Sequence, residues 1–351
     1  MNKHSVDDLK QMQALPLGSK IAMTKRRIRE WYEHWDGQVY VSFSGGKDST
    51  VLKHIVDSMY SDVPAVFVNT GLEYPEIQRF VKDVKAGEWD CFNSAVEIIR
   101  PEMRFDQVIQ KYGYPVISKE VSERIYYAKK GANWAIQCMN GNNPDGTKSD
   151  YKHGTAKWAF LVDAPFGVSH KCCTVMKKQP AKQYENETGR KPIIGTMAYE
   201  SHLRKTQWKK IGCNAFDGKR PRSAPLSFWT EQDILHYIRQ YNVPYCTIYG
   251  EIRIKQRDGE AEGQINLIDY LGCYEPEDVL ETTGCKRTGC MFCVFGCHLE
   301  REPNRFQRMR VTHPKQYNYC IGGGEYVDGI WQPSKEGLGM GKVLDYIHVK
   351  Y

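Results

Sequence analysis

The chain is 351 residues long and carries 49 Lys and Arg against 42 Asp and Glu, a formal charge of +7. One domain per ~150 residues makes this about two folded units with ample core, which excludes disorder and short peptides. No charged start followed by an apolar stretch and no run of ~18 apolar residues occurs, so the reading is of a soluble, cytoplasmic protein with no membrane partner, basic enough to tolerate a phosphate-bearing one.

Residues 6–35 place Leu9, Met12 and Leu15, then Ile21, Met23, Ile28 and Trp31, at helical spacing, which predicts two helices joined near Pro16 and Gly18 as a lead-in over residues 1–36. After Gly37 the run VYVSFS reads as a strand; it ends in Gly45 and Gly46 and passes into a helical pattern through Val51, Leu52, Ile55, Val56 and Met59. The unit recurs, with AVFVNT at 65–70 before a helix over 75–85 and AVEIIRP at 95–101 before one over 105–112. Such alternation predicts an α/β fold with a doubly wound parallel sheet. Ser118 caps a helix over 118–131, whereas residues 131–157, rich in Gly, Asn, Asp and Lys without periodicity, read as a mobile surface insertion. KPIIGTM at 191–197 supplies a further strand, and Thr230 caps a helix striped by Ile234, Leu235, Tyr237, Ile238 and Tyr241. The sheet domain is therefore expected over 37–249. Residues 250–351, with elements poorly marked and cysteines, glycines and basic residues common, are expected to form a small domain organised by a metal centre.

SFSGGKDST at 42–50 stands where a doubly wound fold binds its ligand, beyond the carboxyl end of the first strand and at the start of a helix. Gly45 and Gly46 let backbone N–H groups approach an anion, Lys47 adds charge, and Ser44 and Ser49 offer hydroxyls. A nucleotide phosphate is the natural guest. The spacing matches neither G-x-x-x-x-G-K-[ST] nor G-x-G-x-x-G, so a Walker nucleoside triphosphatase and a dinucleotide-binding fold are not supported.

S-G-G-K-D-S resembles the PP-loop of the adenine nucleotide alpha hydrolase fold. Four further elements resemble the phosphoadenylyl-sulfate (PAPS) reductase family in its own order: NTGLEYPE at 69–76, with Asn69 at an Asp position; KCCTVMKKQPA at 171–181, with Met176 at an Arg position; GTMAYESHLR at 195–204; and PLSFWTEQDILHYI. The resemblance implies that Ser44, Gly45, Gly46, Lys47, Asp48 and Ser49, with Gly71, Glu200 and Ser201, bind ATP, PAPS or adenylyl sulfate. It further implies that Lys47, Asp48, Lys177, Lys178 and Arg204 are catalytic or phosphate-contacting groups.

The twelve cysteines are expected to be thiols, because disulfide frameworks belong to small secreted chains. Cys91, Cys138, Cys213, Cys246, Cys273 and Cys320 stand alone and receive no role. Cys285, Cys290, Cys293 and Cys297 form C-x4-C-x2-C-x3-C, a metal-binding density that suits zinc or an iron–sulfur cluster. The resemblance favours 4Fe-4S over zinc, since the adenylyl-sulfate branch holds its cluster with an adjacent pair and a later G-C-x-x-C, present here as Cys172-Cys173 and Cys290-Cys293. Two ligand sets stay open: Cys172, Cys173, Cys290 and Cys293, or the local four.

Reductases of the family attack with a cysteine in an E-C-G-L-H tail motif, for which Cys320 in NYCIGGG is a weak substitute. Relatives with the same loop activate an acceptor with ATP, release pyrophosphate and insert sulfur into tRNA or DNA. Three readings follow: a PAPS-reductase-family enzyme handling sulfur or electrons beside a 4Fe-4S cluster, a nucleic-acid sulfur-insertion enzyme, and a non-catalytic module that binds nucleotide and partner. A reductase requires a thioredoxin-like thiol donor, and insertion requires a cysteine desulfurase. Basic residues interleaved with aromatics over 205–222 and 301–319, Lys209 and Arg305 among them, are candidate contacts to a nucleic-acid backbone.

Overall fold

A computed structural model describes residues 3–149, 154–218, 220–255 and 278–351. The chain divides into two units, one of residues 1–69, 73–99 and 181–288, the other of residues 70–72, 100–180 and 289–351. This is not the sequential division that the motifs suggest.

The first unit holds a six-stranded sheet. Strands β1 (Val39–Ser42), β2 (Ala65–Val68), β3 (Val96–Ile99) and β4 (Lys191–Ile194) run parallel in the order β3-β2-β1-β4. Beyond β4 lie β6 (Arg222–Ser223), parallel to it, and the antiparallel β5 (Asn214–Ala215) at the edge. Val39, Tyr40 and Val41 are all buried, as expected of a strand covered on both faces. The strand order reverses direction at β1, whose neighbours are β2 on one side and β4 on the other, and this is the switch point at which open α/β sheets bind ligands.

The lead-in is part of this unit rather than a separate domain. Helix α1 (Val6–Gln13) opens on a capping box between Ser5 and Asp8, and α2 (Leu17–His34) sends Ile28 and Trp31 fully into the same core as Val41, Leu52 and Trp229. A buried ion pair, Lys20 Nζ to Asp233 Oδ1 at 2.7 Å, binds α2 to α10 (Glu231–Gln240), and the Trp229 indole N–H donates to Thr24 Oγ1 at 2.9 Å. The antiparallel strand pair Ile252–Ile254 and Leu280–Thr282 also belongs here and not to a cysteine-rich domain, because Gln232 on α10 bonds both the N–H and the C=O of Leu280.

The second unit gathers three distant segments through their backbones. Tyr114 N–H donates to Gly167 C=O, Gly296 N–H to Ile117 C=O, Met291 N–H to Leu72 C=O and Trp331 N–H to Pro165 C=O. Residues 100–180 therefore leave the sheet domain in which the sequence places them. The expected mobile insertion contains a helix, Asn133–Met139, that buries Ala135, Cys138 and Met139; at seven residues it is too short for its apolar positions to register as a period. Helices Arg305–Thr312, Pro314–Ile321 and Met340–Tyr346 lie in the stretch that looked unmarked, the first opened by an Asn304 and Gln307 capping box. No helix among the described residues is long and apolar enough to cross a membrane.

Candidate nucleotide pocket and cysteine cluster

Strand β1 delivers the glycine loop to the open end of the sheet. Gly45 has φ +70°, and a Cβ there would stand 2.8 Å from Val81 Cγ2 and 2.9 Å from Ile77 Cγ2, so only glycine makes the turn. Gly46 then caps helix α3 (Lys47–Asp57). Ser49 Oγ donates to Gly46 C=O at 2.9 Å and accepts the Ser44 N–H at 3.1 Å, which folds the loop over the helix start. Across from it, a Cβ on Gly195 would lie 3.1 Å from the Asp48 carbonyl oxygen, so the end of β4 and the start of α3 approach backbone to backbone.

These elements enclose a cavity of about 480 Å³, lined among others by Ser44, Gly46, Lys47, Asp48, Ser49, Thr196, Glu200, Arg204, Tyr249, Arg287 and Thr288. That volume suits a drug-sized or nucleotide ligand. Lys47 is only 3% exposed; its Nζ donates to the Lys286 C=O at 3.2 Å and lies 3.3 Å from both Asp48 Oδ1 and Glu231 Oε1. Its backbone N–H donates to Tyr249 OH at 3.1 Å. Burial pushes the Asp48 carboxyl above its ordinary range, with Lys47 pulling the other way, and Asp48 Oδ1 is buried with no hydrogen bond among the described residues. A helix N-terminus, a buried ammonium and two guanidiniums thus converge on one concavity, a geometry that accepts anions.

Of the residues expected here, Glu200 lines the cavity and pairs with both Arg204 and Arg287, while Ser201 stands outside it as the cap of α9 (His202–Ile211), accepting the Arg204 N–H at 3.2 Å. Gly71, Lys177 and Lys178 belong to the second unit. Sequence reasoning missed Tyr249, Arg287 and Thr288. The available signal was the basic pair Lys286-Arg287 set among the cysteines, which the density of thiols overshadowed.

In the second unit Cys172, Cys173, Cys290 and Cys293 line one small pocket, with Leu72, Phe105, Pro115, Met176, Lys177 and Phe292 as its other walls. Met176, at the family's Arg position, is buried there as apolar wall. Cys172 Sγ and Cys173 Sγ lie 3.9 Å apart. The hydrogen bond between them and burial hold Cys172 protonated, whereas that bond and the Lys119 and Lys177 ammoniums pull Cys173 towards thiolate. Burial raises Cys293 and pushes Cys297 up to about 12. Cys285 lies in the first unit, its N–H bonded to Ile248 C=O, and neither it nor the buried Cys297 lines the pocket. Among the described residues no three His, Cys, Asp or Glu side chains are close enough to share one metal ion. Arg305, expected at a nucleic-acid surface, instead donates to the Cys293 C=O at 2.8 Å and pairs with Glu300 at 2.6 Å. Of the lone cysteines, Cys138, Cys213, Cys246 and Cys320 are buried, and Cys273 lies outside the described residues.

The sequence matches the phosphoadenosine phosphosulfate reductase domain in two overlapping stretches, residues 38–130 and 118–294. The chain belongs to this family. An uncharacterized protein of Methanocaldococcus jannaschii is 25% identical over 227 residues, 63% of this chain, which span only 35% of that relative's length. The adenosine 5'-phosphosulfate reductase of Staphylococcus haemolyticus is 22% identical over 231 residues, 64% of this chain and 70% of that one. Sulfate adenylyltransferase subunit 2 of Mesorhizobium japonicum is 24% identical over 272 residues, covering 68% and 75% respectively. By their names, these relatives include enzymes of sulfur metabolism.

Proposed function

We propose that this chain is an enzyme of sulfur metabolism that binds ATP or an adenylyl sulfonucleotide at its glycine loop and handles sulfur or electrons beside a 4Fe-4S cluster. The observation that carries the reading is the cavity of about 480 Å³ at the switch point of the sheet, lined by Lys47, Arg204 and Arg287. Both named bacterial relatives act on adenylyl sulfate chemistry by their names, which supports an adenine nucleotide as guest.

The donor set of the second unit suits the cluster. Four thiols face one pocket with Lys177 beside them, and a 4Fe-4S centre attaches each thiolate to a different iron, whereas zinc with Zn–S ~2.3 Å needs its ligands gathered around one point. Cys172, Cys173, Cys290 and Cys293 would hold the group, which supplies electron transfer or a Lewis-acidic iron when bound. Lys119 and Lys177 favour thiolate at Cys173, the form a ligand needs.

A second reading, activation of an acceptor by ATP followed by sulfur insertion into tRNA or DNA, is favoured by one observation. Cys320, the nearest substitute for a tail nucleophile, is fully buried and its thiol is raised by burial, the opposite of an exposed attacking thiolate. The two readings imply different partners, a thioredoxin-like thiol donor or a cysteine desulfurase. Anaerobic protein incubated with ATP, PAPS and adenylyl sulfate separates them: sulfite from a sulfonucleotide with a thiol donor marks a reductase, and pyrophosphate from ATP that depends on added RNA or DNA marks insertion. Absence of both products with loaded protein would sink the enzymatic reading.

A further inference from the structure

Outside its cysteine pocket the second unit carries a continuous group of part-exposed rings that none of the sequence motifs describes. Tyr126 and Tyr127 close the helix Lys119–Ala128, Gly131 turns the chain at φ +77°, and Trp134 opens the helix Asn133–Met139. Between ring centroids, Trp134 lies 5.5 Å from Tyr127, and Tyr127 lies 5.3 Å from Tyr126. His170 completes the group, 5.9 Å from Tyr126 and 6.2 Å from Tyr127, on a segment tied down by the Ser169 N–H, which donates to the Tyr114 C=O at 2.9 Å. Trp134 is 37% exposed and both tyrosines are half-buried, so ring area is left open to solvent. Cations stand on the same rings. Lys130 Nζ is 4.3 Å from the Tyr126 centroid and donates to its hydroxyl at 2.7 Å, and Lys171 Nζ is 5.9 Å from that centroid. The segments that carry the rings, 119–134 and 169–171, contain two carboxylates: Glu120, which pairs with Arg124, and Glu123, 3.6 Å from His170 Nε2. Lys129 is turned to the Ala164 and Phe166 C=O groups. On these segments, then, Glu123 stands against the two ammoniums of Lys130 and Lys171.

We propose that this face receives the unpaired bases of a single-stranded nucleic acid, stacked on Trp134 and Tyr127, with neighbouring phosphates met by Lys130 and Lys171. The inference rests on the second reading above and names where its acceptor docks. Open rings offer a stacking face to any base, and ammoniums beside them meet a backbone charged at every nucleotide. A single strand satisfies both features, whereas the bases of a duplex are already stacked on one another. An apolar protein partner would instead bury Lys130 and Lys171 without counter-charge, at a cost in free energy. The face is also placed for the chemistry, because His170 and Lys171 run directly into Cys172 and Cys173, the adjacent pair of the cysteine pocket.

The test titrates the full chain with labelled oligo(U) and oligo(dT) of about 12 nucleotides and with a duplex of the same length, read by fluorescence anisotropy. A single strand should bind more tightly than the duplex, and the comparison of oligo(U) with oligo(dT) separates RNA from DNA as its source. Trp134→Ala, and Tyr127→Leu, which keeps bulk without the π-face, should each weaken single-strand binding roughly five- to hundredfold, the loss for one stacked base, with ATP affinity unchanged. Trp134→Phe should retain most of the affinity, because it keeps a stacking face, yet lose the share of tryptophan-emission quenching that Trp134 supplies. Lys130→Gln should flatten the slope of log affinity against log salt by ~0.7. Trp134→Phe and Lys130→Gln carry the test if the alanine variant does not fold. Single-strand affinity unchanged in Trp134→Ala and Tyr127→Leu, or a duplex bound as tightly as the single strands, overturns this site and leaves the second reading standing. A wild-type chain that binds neither single strands nor duplex overturns the site and that reading together.

Discussion

Replacing Lys47 by Ala perturbs the one ammonium enclosed at the mouth of the glycine loop. Its Nζ, 3% exposed as a residue, serves the Lys286 C=O and two carboxylates, those of Asp48 and Glu231, each at 3.3 Å. A contact from this charge to a phosphate contributes on the order of 1.5–3 kcal/mol, or roughly ten- to somewhat over a hundredfold in affinity. The substitution also leaves Asp48 and Glu231 facing the incoming anion without the cation between them. Their repulsion of the anion, about 2–3 kcal/mol each at about 6 Å and an effective dielectric of ~20 before screening, acts in the wild type as well and cancels from the difference. The expected loss is therefore that of the ammonium contact itself. Calorimetry with ATP reads it, alongside a thermal melt to show that the variant is folded. ATP affinity within twofold of wild type in a folded Lys47→Ala protein would refute the assignment of this cavity to the nucleotide.

Three further predictions concern the second unit. Anaerobically prepared wild-type protein should carry close to four irons per chain, which Cys172→Ser, Cys173→Ser, Cys290→Ser and Cys293→Ser should each lose while Cys285→Ser and Cys297→Ser retain it; iron assay and visible absorbance decide, and one tightly bound zinc in place of iron would reject the cluster. Arg305→Ala should expose the Cys293 carbonyl and cost about 1–3 kcal/mol in the stability of this unit with no change in ATP affinity, measured by thermal melts and calorimetry. Burial pushes Glu300 up, but its hydrogen bonds and ion pair with Arg305 prevail and hold it below the ordinary glutamate range. The stabilisation from this pair is therefore present above that range and fades as pH falls through the lowered value, and Glu300→Gln should remove that acid dependence. A Glu300→Gln melt with the same acid slope as wild type would reject this role for the Arg305–Glu300 pair.

The sequence by itself determined the strand, glycine turn and helix of the first unit, because local chemistry dictates each step: three consecutive buried β-formers from Val39 to Val41, a φ of +70° that Gly45 alone tolerates, and a helix start at Lys47. Helix limits at Pro75–Ala86, Phe105–Tyr112 and Glu231–Gln240 were legible for the same reason, from caps and apolar period. Motif order made family membership readable before any coordinates. Tertiary structure decided what depends on contacts between distant residues. Spacing left two sets of four cysteines open, and only the fold brings Cys172-Cys173 to the same pocket as Cys290-Cys293, since sequence separation says nothing of which loops meet. Arg305 read as surface charge until its N–H groups were found donating to the Glu300 carboxylate and the Cys293 carbonyl. Arg287 was one basic residue among many, and the two units interleave along the chain, because backbone bonds such as Gly296 to Ile117 join segments that no local pattern connects.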